Sequence, residues 1–363
     1  MNALVIEEPS LPLDQPSVSQ RDLEIDDALA RTLVRDLHKV NRTIFWSDLL
    51  LSALLGWAAF AYAVALPGFS LRTGIAVVVS AMALYRCLCF LHEISHQNKR
   101  TLPGFEATYN ALVGFLLLMP SFVYVGVHQS HHKISVYGTK DDPEYMPFAQ
   151  SCLMTTVFAA ESFFIPVILL VRFLLLTPLS LIVPSFERWT IIHLSSLTMN
   201  VQYQREMSPD LARKVRTHSL MIWVLWAVAI ALVIAGTLPL KVFLIWLMVD
   251  GIVSFVNSLR TLGAHAYESD GQPMDRLGQL RDSIDHPGYF WTELWAPVGL
   301  RYHALHHYFP GVPYHALPEA YRRLTTTLPI GQSYVRMSNP SLPFSLRALF
   351  TKGMRIFRRD PAR

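Results

Sequence analysis

The chain has 363 residues, of which 52% are apolar and only 16% charged, where soluble domains carry about 25% charged residues. That balance excludes a disordered or collagen-like chain, and three cysteines exclude a disulfide framework. A net charge of +4 is too small to argue for nucleic acid, and 14 histidines are out of place in so apolar a sequence unless they are used.

Residues 1–27 hold seven acids and one base and do not read as a secretory signal, so a solvated, disordered acidic tail is expected. Asp26 to Arg42 then reads as a helix, with Leu29, Leu33, Leu37 and Val40 opposite Arg31, Arg35, Lys39 and Arg42. Such a helix suits a membrane surface. Leu49 to Leu66 has no charge, and its 18 residues span about 27 Å as a helix, close to a hydrocarbon core. Ile75 to Leu91, Ser219 to Gly236 and Val242 to Val256 are three further spans, the first of these carrying Arg86 and the last Asp250. A charge within a span is costly and usually functional. Ala111 to Val127, cut by Pro120, and Cys152 to Val183, cut by Pro166 and Pro178, read as re-entrant or interfacial. Leu346 to Arg359 is a basic amphipathic stretch suited to an anionic membrane face. Lysine and arginine gather at the ends and in the long loops, which puts both termini on the cytoplasmic side of a multi-pass protein, the inner membrane if bacterial. The expected division is a tail at 1–27, a catalytic domain at 28–330 and a basic amphipathic tail at 331–363.

Three histidine clusters stand out: His92-Glu93-Ile94-Ser95-His96, His128-Gln129-Ser130-His131-His132 and His303-Ala304-Leu305-His306-His307. Residues three or four apart share a helix face, so each cluster offers two or three imidazoles to one side. Imidazole suits Zn, Cu, Fe and Ni. Two chance copies of His-x-x-His-His are not expected at this histidine frequency. The first cluster also fits His-Glu-x-x-His, the zinc-protease signature, with Glu93 as general base. One zinc needs at most four ligands, which leaves the other clusters unexplained. The first cluster follows the second span and the third follows the fourth, so both emerge on one side, predicted cytoplasmic. The second cluster joins them if Ala111 to Val127 does not cross.

The three boxes, in this order between these spans, resemble the membrane fatty-acid desaturase superfamily, as does Trp295-Ala296-Pro297-Val298-Gly299-Leu300-Arg301-Tyr302-His303, which is similar to bacterial members. The resemblance covers about Leu49 to Leu324. It implies an all-α integral membrane protein of four transmembrane helices, with a cytosolic helical cap holding a histidine-rich di-iron site. It implies an enzyme that uses two Fe ions, dioxygen and external electrons to oxidise a fatty acyl chain in the bilayer. The electrons would come from a ferredoxin or rubredoxin with its reductase. Carried over by position, His92, His96, His128, His131, His132, His303, His306 and His307 become metal ligands, and His265, just after the fourth span, a ninth. Animal acyl-CoA desaturases place an asparagine four residues before that last histidine; here the position is Thr261, and Asn257 lies two turns away. The first box has three residues between its histidines where acyl-CoA desaturases have four, which argues against a CoA thioester.

Metal-bound imidazoles normally donate their other N–H to a carboxylate or carbonyl. Glu93, Asp141, Asp142, Glu144, Asp282 and Asp285 are the candidates for that role. His286-Pro287-Gly288 matches a haem motif of cytochrome b5 but lacks its domain and reads as a turn. Desaturation of a fatty acyl chain is the first expectation. Hydroxylation, or decarboxylation to a terminal alkene with the carboxylate held by Arg260 or Arg301, are alternatives on the same scaffold. An intramembrane zinc protease is the remote one.

Overall fold

The computed structural model describes residues 20–327 and 338–359. In chain order its principal helices are α1 (Gln20–Val34), α2 (Arg42–Ala65), α3 (Leu71–His96), the short α4 (Val127–His131), α5 (Pro209–Ile234), α6 (Lys241–Ala264), α7 (Arg276–Asp282), α8 (His303–Tyr308), α9 (Leu317–Thr326) and α10 (Leu342–Arg359). Among the described residues the only β pairing is isolated bridges, such as His265 with Ser283.

Five helices are long and apolar enough to cross a membrane: α2, α3, α5, α6 and the Cys152–Ile182 run. The first four are the expected spans. The fifth is the proline-cut stretch, continuous in overall course but broken by a 3-10 turn at Ser162–Phe164 and a π turn at Val171–Leu175. The outward faces are apolar: Leu50, Leu51, Leu54 and Leu55 on α2 and Val224 and Val228 on α5 are all exposed. Such faces belong in lipid rather than water. Helix α2 starts earlier than its uncharged run, because Asn41 caps it by accepting from the Ile44 N–H. Helix α3 opens on a Ser70–Thr73 capping box and continues unbroken through His92 and His96, so the first box is the last turn of a span. Of the charges within spans, Arg86 pairs with Asp48 at 2.6 Å, and the Tyr314 hydroxyl donates to the same carboxylate at 2.9 Å. Asp250 has no such partner: it is fully buried, and neither carboxylate oxygen has a hydrogen bond among the described residues.

Ala111 to Val127 does not cross. It folds into a π turn at Asn110–Gly114, a bend at Pro120 and a 3-10 turn at Ser121–Val123. A Cβ at Gly114 would meet the Met119 carbonyl oxygen at 3.0 Å, so the tight turn needs glycine. A broken segment at this depth leaves carbonyls unsatisfied unless the protein supplies donors. Three spans do so with tryptophan. The indole N–H of Trp57 (α2) donates to Leu112 O at 2.7 Å, that of Trp226 (α5) to Phe115 O at 3.1 Å, and that of Trp246 (α6) to Leu116 O at 2.8 Å. Arg205 pins the far end of the hairpin by donating to the carbonyls of Phe122, Ser195 and Val125. The hairpin therefore returns to the side it left, carrying the second box with it.

Both amphipathic ends depart from expectation. The N-terminal helix begins at Gln20, inside the expected tail, and gives way at Arg35–His38 to a 3-10 turn. Residues 1–19 lie outside the described residues. Ala30 and Val34 are buried against Leu280, Tyr302, Leu305, Phe309 and Leu324, so α1 packs on the cap formed by α7, α8 and α9 rather than on lipid. Helix α10 likewise lays Leu346 and Leu349 against Leu262, Phe148 and Met154. Gly353 abuts Cys152 so closely that a Cβ would sit 2.6 Å from its backbone nitrogen. An apolar stripe predicts that something covers it; here the protein does.

Candidate metal centre

Nine histidines from four parts of the chain converge at the end of α3 and α6. Helix α3 supplies His92 and His96, and α4 with its C-cap residue supplies His128, His131 and His132. His265 follows α6 in extended conformation, and α8 carries His303, His306 and His307. Asp285 sets α8 in place by accepting from the Leu305 N–H at its first turn, so it serves the helix and not an imidazole.

The imidazoles form two groups of four: His92, His96, His128 and His306, and His131, His265, His303 and His307. In each group the ligating atoms lie within 4.8 Å of one another. The groups cut across the boxes. His303 and His307, four apart, stay together, and His306 turns to the other group. His128 and His131, three apart, also part company. The reason is angular: an i,i+4 pair diverges by about 40° around a helix axis and an i,i+3 pair by about 60° the other way. Helices α4 and α8 lie between the groups and serve both. His132 stands at the junction, its Nε2 3.1 Å from His128 Nε2 and 3.2 Å from His306 Nε2, and its ring stacked 4.3 Å from His307.

Facing nitrogens are 2.9–3.2 Å apart: His265 with His303 at 2.9 Å, His96 with His306 at 3.1 Å and His303 with His307 at 3.1 Å. Imidazole–metal bonds of about 2.0–2.1 Å place two nitrogens at right angles about 2.9 Å apart. The spacing is that of neighbouring ligands on one ion. Both ring nitrogens of His92 and Nε2 of His131 are buried with no hydrogen bond among the described residues. Buried polar atoms rarely go unpaired, and a metal ion is the partner that fits an all-imidazole set. Burial pushes the imidazoles of His128, His132, His265, His303, His306 and His307 down, which keeps them neutral and able to ligate.

Three of the outer nitrogens are held by acids, directly or through a tyrosine. His131 Nδ1 meets Asp142 at 2.9 Å, and Asp142 is itself fixed by the N–H groups of Gly138 and Glu144. Burial alone would lower His131, but this carboxylate outweighs it and raises the group. His128 Nδ1 meets Glu144 at 3.0 Å, with the Tyr124 hydroxyl donating to the same acid. Burial pushes Glu144 up to about 7. His265 Nδ1 reaches the Tyr137 hydroxyl at 2.9 Å, which donates onward to Asp282 at 3.0 Å, so Asp282 acts through a tyrosine. Tyr145 donates to the other oxygen of Asp282. The tyrosines had no signal in the sequence, being distant from the boxes they serve.

Other candidates fall elsewhere. Asp141 is exposed and reaches no imidazole; its N–H bonds the Thr139 hydroxyl. Its immediate neighbour Asp142 points inward. Asn257 accepts from Arg260 at 3.0 Å and touches no histidine. Glu93 is buried 3.8 Å from His92 Nδ1 and accepts from the Tyr314 N–H at 3.2 Å. It is a buried brace, with no position from which to serve as a protease base. Arg301 donates to the carbonyls of His286, Pro287 and Gly288 and pairs with Glu293, which removes it as a substrate cation. His286 bonds the Ser345 hydroxyl, apart from both groups.

Two comparisons with known proteins bear on this geometry. The sequence model of the fatty acid desaturase family matches residues 69–338. A ceramide hydroxylase of Caulobacter vibrioides (strain NA1000 / CB15N) is 38% identical over 330 residues, which is 89% of this chain and 92% of that protein.

Proposed function

The chain belongs to the fatty acid desaturase family, and from that premise we propose that it is a di-iron membrane oxidoreductase that hydroxylates the chain of a ceramide-type lipid. The observation that carries the metal part is the pair of four-histidine groups with facing nitrogens at bonding separation. The similarity to a ceramide hydroxylase favours hydroxylation over the desaturation that the boxes alone suggest. Decarboxylation to an alkene finds no support in either comparison, and Arg301, one of the two cations it would use, is already engaged.

Both remaining outcomes begin by breaking one unactivated C–H bond. In hydroxylation, substrate, dioxygen, two electrons and two protons give the alcohol and water. In desaturation a second hydrogen leaves the neighbouring carbon. The irons, when bound, supply the oxidising power together with dioxygen and electrons from an external donor such as a ferredoxin or rubredoxin. The protein's part is to hold and to exclude. Asp142, Glu144 and the Tyr137–Asp282 relay fix which imidazole nitrogen faces inward. Burial of His131, His265, His303 and His307 keeps water from one side of the site. The spans bring the lipid to the underside, and the gathering of lysine and arginine in the long loops favours a cytoplasmic cap.

The test is purified protein in lipid nanodiscs with ceramide, dioxygen and a ferredoxin–reductase pair, read by mass spectrometry. A product with one added oxygen, and about two irons per chain, is the expected result. A product lacking two hydrogens moves the reading to desaturation, and unchanged lipid from iron-loaded protein overturns it.

A further inference from the structure

The two cations that the sequence offers to the substrate end in opposite circumstances. Arg301 is consumed by three carbonyls and Glu293. Arg260 is not. Its Nη2 donates to Asn257 Oδ1 at 3.0 Å, one turn back on α6, and the Tyr85 hydroxyl is a second neutral neighbour, while its Nε is buried and has no hydrogen bond among the described residues. No carboxylate among the described residues forms an ion pair with it; Glu144, the acid within electrostatic reach, is already held by His128 and Tyr124.

Position gives this significance. Arg260 lies five residues before His265, about 7.5 Å down the helix toward the membrane. Tyr85, Cys89 and Tyr124 lie within electrostatic reach of it, as do His92 and His303. It therefore sits under the metal centre on the side the lipid comes from. The Tyr85 hydroxyl beside it donates to the Trp295 carbonyl at 2.9 Å. The loop leading to Trp295 exposes Tyr289, Phe290, Trp291 and Leu294, Phe290 at 82%. The pair between Glu293 of this loop and Arg86 of α3 fixes the loop at the level of the spans. Exposed aromatics there lie in the membrane interface.

A guanidinium inside a membrane bundle without a counter-charge is costly and marks a function. The side chain beside it completes the chemistry. Asn257 uses its oxygen on Arg260, and its Nδ2 amide donates to no group among the described residues. Unused donors on two hydrogen-bonded side chains at the end of an apolar approach match an acceptor oxygen on an amphiphile. Resting on the hydroxylase reading above, we propose that Arg260 and Asn257 grip the amide carbonyl of an N-acylated lipid and thereby fix which carbon lies at the metal centre. The hydrogen bonds hold one end of the substrate, and the number of carbons from that oxygen to the histidines sets the site of oxidation.

The experiment uses the full-length, iron-loaded protein in nanodiscs, comparing wild type with Arg260→Gln and Arg260→Lys on ceramide and on the free fatty acid of the same chain. Iron content, kcat, KM and the position of the new hydroxyl are measured. Arg260→Gln is expected to keep its iron, to lose about 10–100-fold in kcat/KM on ceramide, mostly through KM, and to spread the product over neighbouring carbons. Lysine should restore part of both. Wild-type kcat/KM with a single product carbon in Arg260→Gln overturns the proposal. So does loss of iron, which would assign Arg260 to the metal centre, and so does a wild type that prefers the free acid in an Arg260-dependent way, which would make the gripped group a carboxylate. Failure of the parent reading looks different: wild-type protein then oxidises neither lipid.

Discussion

The two histidine groups differ in how far they are shut in. In the second, His131, His265, His303 and His307 are all buried, and two of them are backed by a buried acid, directly or through Tyr137. In the first, His96 is half-exposed, as is the adjoining His132, and Glu144 is less buried than Asp142. Outer-shell acids raise ligand basicity and fix ring orientation, and burial slows exchange with solvent. An ion held by the second group is therefore expected to be retained, and one held by the first to be reached.

The largest effect should come from His303→Ala. Turnover is expected to fall to background and iron to drop by more than one equivalent, because α8 serves both groups. His96→Ala should also be inactive yet keep about one iron per chain. Equal iron loss in the two variants would break the comparison. Next comes Asp142→Asn, expected to lower activity or metal affinity about 10–100-fold, with Glu144→Gln less severe and Asp141→Asn indistinguishable from wild type. A chelator time course should show two phases, the faster one belonging to the first group; a single phase would mean that exposure of His96 and His132 has no kinetic consequence. Trp246→Phe leaves the Leu116 carbonyl without its donor and is expected to cost about 1–3 kcal/mol, seen as a lower thermal midpoint with iron content preserved. The smallest effect concerns acid. Burial would raise Glu106, but Lys214, Ser121 and Lys99 outweigh it and hold the carboxyl down from its ordinary value of 4.5 to about 2. Its stabilisation is complete above pH 4.5 and drains away as pH falls toward 2, where the depressed group takes up its proton. Glu106→Gln should flatten the acid limb of a stability profile in that window and leave its neutral limb lower.

The convergence of the boxes was legible because imidazoles three or four apart share a helix face, and a chain this apolar leaves them conspicuous. How the boxes divide was not. Whether His131 joins His128 or leaves it depends on where the axis of α4 runs between the two groups, which no local pattern encodes. The acids repeat the lesson at finer scale: Asp142 and Asp141 are adjacent and chemically alike, but one faces His131 and the other faces solvent. Arg260 and Arg301 are likewise equal in sequence and unequal in partners. The spans followed from hydropathy, whereas α1 and α10 show that a stripe of leucines announces coverage without naming the cover.

The three tryptophan donors carry a consequence for how the protein is made. The hairpin around Pro120 leaves the ribosome some hundred residues before Trp226 and Trp246, so the carbonyls of Phe115 and Leu116 lack their indoles until α5 and α6 have been synthesised and have packed. His128, His131 and His132 gain a settled position only then, and His303, His306 and His307 come later still along the chain. Assembly of the two histidine groups is thereby tied to the end of translation. A nascent chain stalled before α6 presents only the first two boxes, on a hairpin not yet fastened.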